Sequence, residues 1–147
     1  MGWFAFALLA AALWGASYAM YEQLLKTISP AAAMLYTAFG TVFVYFGWAA
    51  ARGALANDWQ VIRKGGYETK LVLGIILVNA LSNLSILASM QEKNATVAGL
   101  VEIAYPLFTA LFTWLFFREV EMSWGTAFGG LLVLSGVACI YYFERTA

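Results

Sequence analysis

The chain of 147 residues is strongly apolar: hydrophobic residues make up 63% of it and charged residues only 11%, with a mean hydropathy of +0.78. Soluble domains carry about 25% charged residues, so this composition excludes a water-soluble protein and predicts an all-α polytopic membrane protein. The formal net charge of zero argues against nucleic-acid binding, and the absence of histidine argues against histidine-based metal sites and catalytic triads.

Five apolar segments of about 20 residues are each long enough to cross the bilayer. The first lacks the basic start of a signal peptide and exceeds its usual apolar length, so we expect it to be retained. Ser29 is predicted to cap the second helix, ahead of Pro30, and Asn94 and Ser123 are predicted to cap the fourth and fifth. We therefore expect one membrane domain over residues 1–147, with helices at about 3–25, 30–51, 71–90, 95–117 and 124–143.

The connection between the second and third predicted helices, residues 52–70, is rich in glycine and basic residues, which predicts a solvated or interfacial loop. Membrane proteins carry more lysine and arginine on the cytoplasmic side. The eight basic residues divide into five on the side of the N-terminus and three on the other, which favours a cytoplasmic N-terminus in a bacterial or archaeal inner membrane. The margin of two charges leaves insertion in both orientations open. The two sets are Arg52, Arg63, Lys64, Lys70 and Arg118 on the first side, and Lys26, Lys93 and Arg145 on the second.

Glu102 is the one charged residue well inside a predicted span, where such a side chain costs at least about 2.5 kcal/mol. It lies seven residues into the fourth helix, roughly 10 Å below the surface. Pro106 follows four residues later and cannot donate a hydrogen bond to the carbonyl of Glu102, which predicts a bend that presents both the carboxyl group and a freed carbonyl. Glu102 is therefore the predicted proton site of a proton-coupled carrier, with a purely structural role as the alternative.

Other polar side chains fall into a layer at similar depth when a rise of 1.5 Å per residue is applied to each helix. This layer predicts a substrate-binding region, although the same residue types also form hydrogen bonds between membrane helices. Its members are Ser17, Tyr18 and Tyr36 at about 8 to 9 Å, Asn83 at roughly 12 Å, and Asn79 one turn deeper.

Three glycines open the fifth predicted helix and form a small-residue face that lets another helix approach closely. They are Gly125, Gly129 and Gly130. Either a neighbouring helix of the same chain or a second subunit can fill this face, so internal packing and a dimer interface both remain open.

Several short motifs occur in order over about residues 6–142, namely Trp14-Gly15-Ala16-Ser17, Ser29-Pro30, Tyr105-Pro106-Leu107-Phe108, Glu119, and Gly129 through Gly136 to Val137. Together they resemble the EamA domain of the drug/metabolite transporter superfamily. The resemblance implies one EamA-like repeat of five helices and adds Trp14 and Tyr105 to the expected substrate site. Most members carry two such domains in tandem, inverted relative to each other, with the substrate near the midplane between them; this sequence holds one.

Two positions depart from the pattern that the resemblance implies. The lysine often found eight residues after the motif tryptophan is Glu22 here, and the arginine often found early in the second helix is Tyr36. Without these cations, and with Glu102 present, we expect the site to favour cationic or neutral substrates over anions.

An odd number of spans predicts an antiparallel dimer, because a second copy of opposite orientation rebuilds an inverted repeat. A heterodimer with an oppositely oriented homologue is the alternative. The expected function is secondary transport of small metabolites or drug-like compounds across the lipid bilayer. A non-transporting membrane subunit or assembly factor that docks through the glycine face is a second hypothesis. The sequence predicts no cofactor, no metal site and no enzymatic activity, since it contains neither G-x-S-x-G, H-E-x-x-H nor a phosphate-cradling glycine motif.

Overall fold

The computed structural model describes residues 2–119 and 122–146, and the regular structure in that part of the chain is helical. Five helical segments there are long and apolar enough to cross a membrane. This confirms the predicted all-α class with five transmembrane helices. The helices in chain order are α1 (Gly2–Leu24), α2 (Pro30–Ala51), α3 (Leu55–Arg63), α4 (Tyr67–Glu92), α5 (Ala95–Glu102), α6 (Tyr105–Phe112) and α7 (Trp124–Thr146), with a π-helical turn at Thr113–Phe117 after α6.

Three helices start at the predicted capping residues. The Ser29 hydroxyl accepts a hydrogen bond from the backbone N–H three residues on, at 3.3 Å, and Pro30 takes the first position of α2. Asn94 Oδ1 and Ser123 Oγ make the equivalent bonds at the starts of α5 and α7, at 2.8 and 3.2 Å. Each side chain satisfies one of the backbone donors that the first turn of a helix leaves unpaired.

The connection over residues 52–70, predicted to be a loop, contains the short helix α3, and α4 begins at Tyr67, four residues earlier than expected. Gly53 ends α2 with a φ of 67°, and its N–H and that of the next residue bond back to carbonyls of the last turn at 3.0 and 3.2 Å. Gly65, with a φ of 68°, ends α3 in the same left-handed conformation. The glycines that suggested a loop therefore delimit a helix.

One compact unit consists of residues 20–91, which hold the end of α1 together with α2, α3 and α4. Its buried apolar side chains lie towards the adjoining ends of α1, α2 and α4. Gln91 Nε2 donates to the carbonyl of Leu25 at 3.4 Å, and the Tyr21 hydroxyl donates to Thr37 Oγ1 at 2.9 Å. These bonds join the helix ends around a small core made by Leu25, Ala33, Leu87 and Met90.

The other compact unit consists of residues 1–19 and 92–147, with the described part of this range holding most of α1 together with α5, α6 and α7. Its buried residues are small, namely Ala95, Ala98 and Ala104, and α5 packs against α7. Lys93 Nζ forms a salt bridge with Glu144 Oε2 at 2.8 Å, which ties the turn before α5 to the end of α7. This unit contains the broken fourth span.

Candidate functional site

The fourth span is interrupted beside Glu102. α5 ends at Glu102, a two-residue turn follows, and α6 begins at Tyr105 with Pro106 in its first turn. Because proline has no N–H to donate to the carbonyl of Glu102, the α-helical hydrogen bond cannot form at this point. Within the turn, backbone hydrogen bonds join residues that are three apart in sequence instead of four, with N···O distances of 3.3 and 3.1 Å. The fourth span is therefore interrupted for two residues at this position, and a bend at Pro106 stays a prediction.

The carboxyl group of Glu102 is hydrogen bonded to Tyr18 of α1. The Tyr18 hydroxyl donates to Glu102 Oε2, and both side chains are partly buried. Tyr18 lies six residues before the end of α1 and Glu102 seven residues after the start of α5, so each sits about 9 to 10 Å from the corresponding helix end. Their common depth lets a bond form between residues that are 84 positions apart in sequence.

The Tyr18 ring is held beside Glu102 by residues of α1 and α5. Trp14 packs edge-on against Tyr18, with ring centroids 5.7 Å apart and an interplanar angle of 71°. On α5, a Cβ added at Gly99 would lie 3.3 Å from Cδ2 of Tyr18. Gly99 is one helical turn from Glu102 on the same face, so the absent side chain makes room for the ring. Gly99 was not predicted; a glycine three residues before an intramembrane carboxyl group is the sequence signal that marks it.

Three further predicted site residues lie in the same compact unit as the Tyr18–Glu102 pair. Ser17 is partly buried, whereas Trp14 is 56% exposed and Tyr105 is 64% exposed. The surroundings of the carboxyl group are therefore aromatic and partly open.

The remaining predicted site residues, Tyr36, Asn79 and Asn83, lie in the unit of residues 20–91. Tyr36 is 69% exposed. Asn79 Nδ2 donates to the backbone carbonyl of Ile75 at 3.1 Å, and Asn83 Nδ2 donates to that of Asn79 at 2.8 Å. Asn83 is partly buried and stands one turn from the buried Leu87 on the same face of α4. A substrate role for these three residues stays a prediction.

The glycines of α7 fall into two groups. A Cβ added at Gly130 would lie 2.4 Å from Cδ2 of Leu107, so this glycine faces α6 of its own chain. Apart from adjacent residues and the backbone of α7 itself, no atom lies within 4 Å of such a Cβ at Gly129, and at Gly125 only the hydroxyl of Ser123 does, at 3.9 Å. Gly130 therefore packs against a residue of its own chain. A dimer contact at the open positions Gly125 and Gly129 stays a prediction.

Glu102 is the one charged residue among the membrane-spanning residues of its unit. No other Asp, Glu, Lys or Arg occurs in residues 2–19, 95–117 or 124–143. Within the described residues, no group of three or more His, Cys, Asp or Glu side chains is arranged to hold a metal ion. An ionised Glu102 therefore has no basic side chain within these segments to balance its charge.

Five apolar spans, one of them interrupted beside a carboxyl group that is hydrogen bonded to the first span, define an integral membrane protein. The sequence matches the model of the EamA-like transporter family over residues 1–142, and the chain belongs to that family. This confirms the expected resemblance and identifies a membrane transporter of the drug/metabolite transporter type. No curated protein and no solved structure matches the chain.

Proposed function

We propose that this protein is a secondary carrier of small cationic or neutral compounds and that proton exchange on Glu102 drives transport. The observation that carries the proposal is the position of Glu102, at a broken helix and hydrogen bonded to Tyr18. A carboxyl group in a span is costly, and carriers use such groups to bind protons and charged ligands.

Charge balance gives the proposed cycle its two states. An ionised Glu102 accepts the hydrogen bond from Tyr18 and attracts a cation, since its unit supplies no basic residue within the spans. A protonated Glu102 is neutral and releases that cation. Substrate and proton therefore compete for one carboxyl group, which couples their movements in opposite directions across the membrane. Neutral substrates would use the aromatic surface of Trp14 and Tyr105 beside it.

The proposed working unit is an antiparallel dimer. One repeat of five spans needs an inverted mate to form the two-fold arrangement of secondary carriers, and either a second copy or an oppositely oriented homologue supplies it. Gly125 and Gly129 leave room on α7 for that mate. We propose a cytoplasmic N-terminus for the majority orientation, because five basic residues lie on that side against three on the other.

Proton release from the purified protein tests this function. Candidate amines, amino acids and other metabolites are added to weakly buffered protein, and the released protons are measured. The proposal expects release on adding a transported compound, loss of release in Glu102→Gln, and normal release in Glu92→Gln, a matched control at an exposed residue near the end of α4. Transport at the normal rate by Glu102→Gln would falsify the role of this carboxyl group.

A non-transporting subunit that docks through α7 is the second candidate function. The open space at Gly129 favours it, since a partner helix can approach there. This alternative expects Gly129→Leu to abolish function while Glu102→Gln leaves function intact. The carrier proposal expects loss with Glu102→Gln in every case.

A further inference from the structure

α3 is amphipathic. Leu55, Trp59 and Ile62 follow one another at intervals of four and three residues, which places them on one face of the helix. Trp59 is 65% exposed and Leu55 is 38% exposed, whereas Ile62 is partly buried. Gln60 lies on the opposite face, Arg63 ends α3 at the flank of the apolar face, and Lys64 follows it as the capping residue. One face of α3 is therefore apolar, and Leu55 and Trp59 on this face are exposed.

Both ends of α3 are held close to membrane-spanning helices. Only three residues separate α3 from α2, and three separate it from α4. Four residue steps reach at most roughly 14 Å, and the observed turns shorten this distance. The N–H of Ala54 bonds into the last turn of α2 at 3.2 Å, and the hydroxyl of Thr69 in α4 bonds to the carbonyl of Ile62 at 2.6 Å. Both ends of α3 therefore stay close to the ends of two membrane-spanning helices.

The segment around α3 is positively charged. Residues 52–70 contain four basic and two acidic side chains, a net charge of +2. The guanidinium of Arg52 lies 5.2 Å from the centre of the Trp48 ring, one turn earlier in α2. Tryptophan near the end of a span marks the headgroup level, so Arg52 is placed there too. Arg63 and Lys64, both exposed, bring two more cations to the end of α3.

We propose that α3 lies in the membrane surface, with Leu55 and Trp59 in the outer part of the acyl chains, and that Arg63 and Lys64 bind anionic phospholipid headgroups. An amphipathic helix with tryptophan on its apolar face and basic residues at its end has this preference, and each basic residue near the surface contributes to attraction for anionic lipid. This lipid site is separate from Glu102 and does not depend on the transport proposal.

Fluorescence quenching by brominated lipids tests the lipid site. The full chain is reconstituted into vesicles that contain acyl-chain-brominated phosphatidylglycerol or phosphatidylcholine. The difference in quenching between the wild type and Trp59→Phe isolates the signal of Trp59. We expect both lipids to quench Trp59, with phosphatidylglycerol favoured. Arg63→Gln and Lys64→Gln should each weaken the preference of Trp59 quenching for phosphatidylglycerol over phosphatidylcholine about fivefold. Lys26→Gln, an exposed cation at the other end of the spans, is the matched control and should leave the preference unchanged.

Three results would overturn the proposal. Absence of quenching at Trp59 places a second copy or another protein over the apolar face of α3. Equal quenching by the two lipids in the wild type shows insertion without headgroup recognition. An unchanged preference in the combined Arg63→Gln and Lys64→Gln variant shows that these cations do not bind the headgroup.

Discussion

The hydroxyl of Tyr18 and the carboxyl group of Glu102 form a pair whose energy a double-mutant cycle can measure. Tyr18→Phe removes the donor, and Glu102→Gln removes the charge that it contacts. We expect a coupling energy of about 0.6 to 2 kcal/mol, because hydrogen bonds between membrane helices contribute about 0.6 kcal/mol on average and up to about 2 kcal/mol. The measurement is the free energy of unfolding in mixed detergent for the two single variants and the double variant. Tyr45→Phe, at a residue 71% exposed, is the matched control and should show no coupling to Glu102→Gln. Additivity within about 0.3 kcal/mol would contradict the pairing.

Gly99 is predicted to matter because of the ring that lies against it. Alanine in a helix interior is about 1 kcal/mol more favourable than glycine, so Gly→Ala at an open position should stabilise the protein. At Gly99 the new Cβ would lie 3.3 Å from the Tyr18 ring, and the ring has to move away from Glu102. We expect Gly99→Ala to give no such gain and to slow transport. Gly74→Ala, where no atom lies within 4 Å of the added Cβ, is the control. Equal stability gains and equal transport in the two variants would show that the contact is unimportant.

The effect of the break between α5 and α6 on transport can be measured separately from its effect on stability. Pro106→Ala restores an N–H that can bond to the carbonyl of Glu102 and allows a continuous helix. We expect thermal stability to stay the same or increase. Transport should fall severalfold, because the Glu102 carboxyl group changes direction and the backbone carbonyl of Glu102 becomes hydrogen bonded to the restored N–H. Melting temperature in detergent and transport in vesicles are the two measurements. Normal transport in a stabilised variant would show that the break serves no function.

Two leucine substitutions on the glycine face of α7 separate its role in packing within the subunit from its role in a dimer contact. Gly130→Leu inserts a side chain where Leu107 already lies within 2.4 Å of an added Cβ, so it should destabilise the subunit by about 1 to 3 kcal/mol through overpacking. Gly129→Leu meets open space and should leave the subunit fold unchanged while weakening the dimer. Unfolding measurements and the detergent-solubilised oligomeric state distinguish the two effects. A dimer that forms normally with Gly129→Leu would exclude this face as an interface.

The elements that were predictable from sequence are those set by local chemistry. Apolar length indicated the five spans, and the side chains of Ser29 and Asn94 cap helices where expected. α3 escaped prediction because its limiting glycines are also typical of loops, and only the spacing of Leu55, Trp59 and Ile62 distinguishes a helix there. The candidate site was predictable in depth but not in pairing. A constant rise per residue places Tyr18 and Glu102 at one level, whereas their contact depends on how α1 and α5 pack, which no local pattern encodes.

At the scale of the whole molecule, the proposed antiparallel dimer places one Glu102 in each half of the membrane. Each carboxyl group lies roughly 10 Å from one surface of a hydrocarbon core of about 30 Å, so the two would be separated by about 10 Å along the membrane normal. Such a separation lets the two carboxyl groups face opposite sides of the midplane, as alternating access at an inverted repeat requires. The dimer therefore depends on each orientation being present in the membrane.

Shifting the charge bias tests that dependence directly. Lys26→Gln with Lys93→Gln changes the balance from five against three to five against one and should fix the N-terminus inside. Arg63→Gln, Lys64→Gln and Lys70→Gln together leave two against three and should turn the N-terminus outside. Topology tags on the C-terminus report the orientation of each variant. For an antiparallel homodimer, either variant alone should lose most transport and co-expression of the two should restore it, because only the mixture contains both orientations. Full transport by the first variant alone would instead mean that an oppositely oriented partner protein, already in the membrane, completes the carrier.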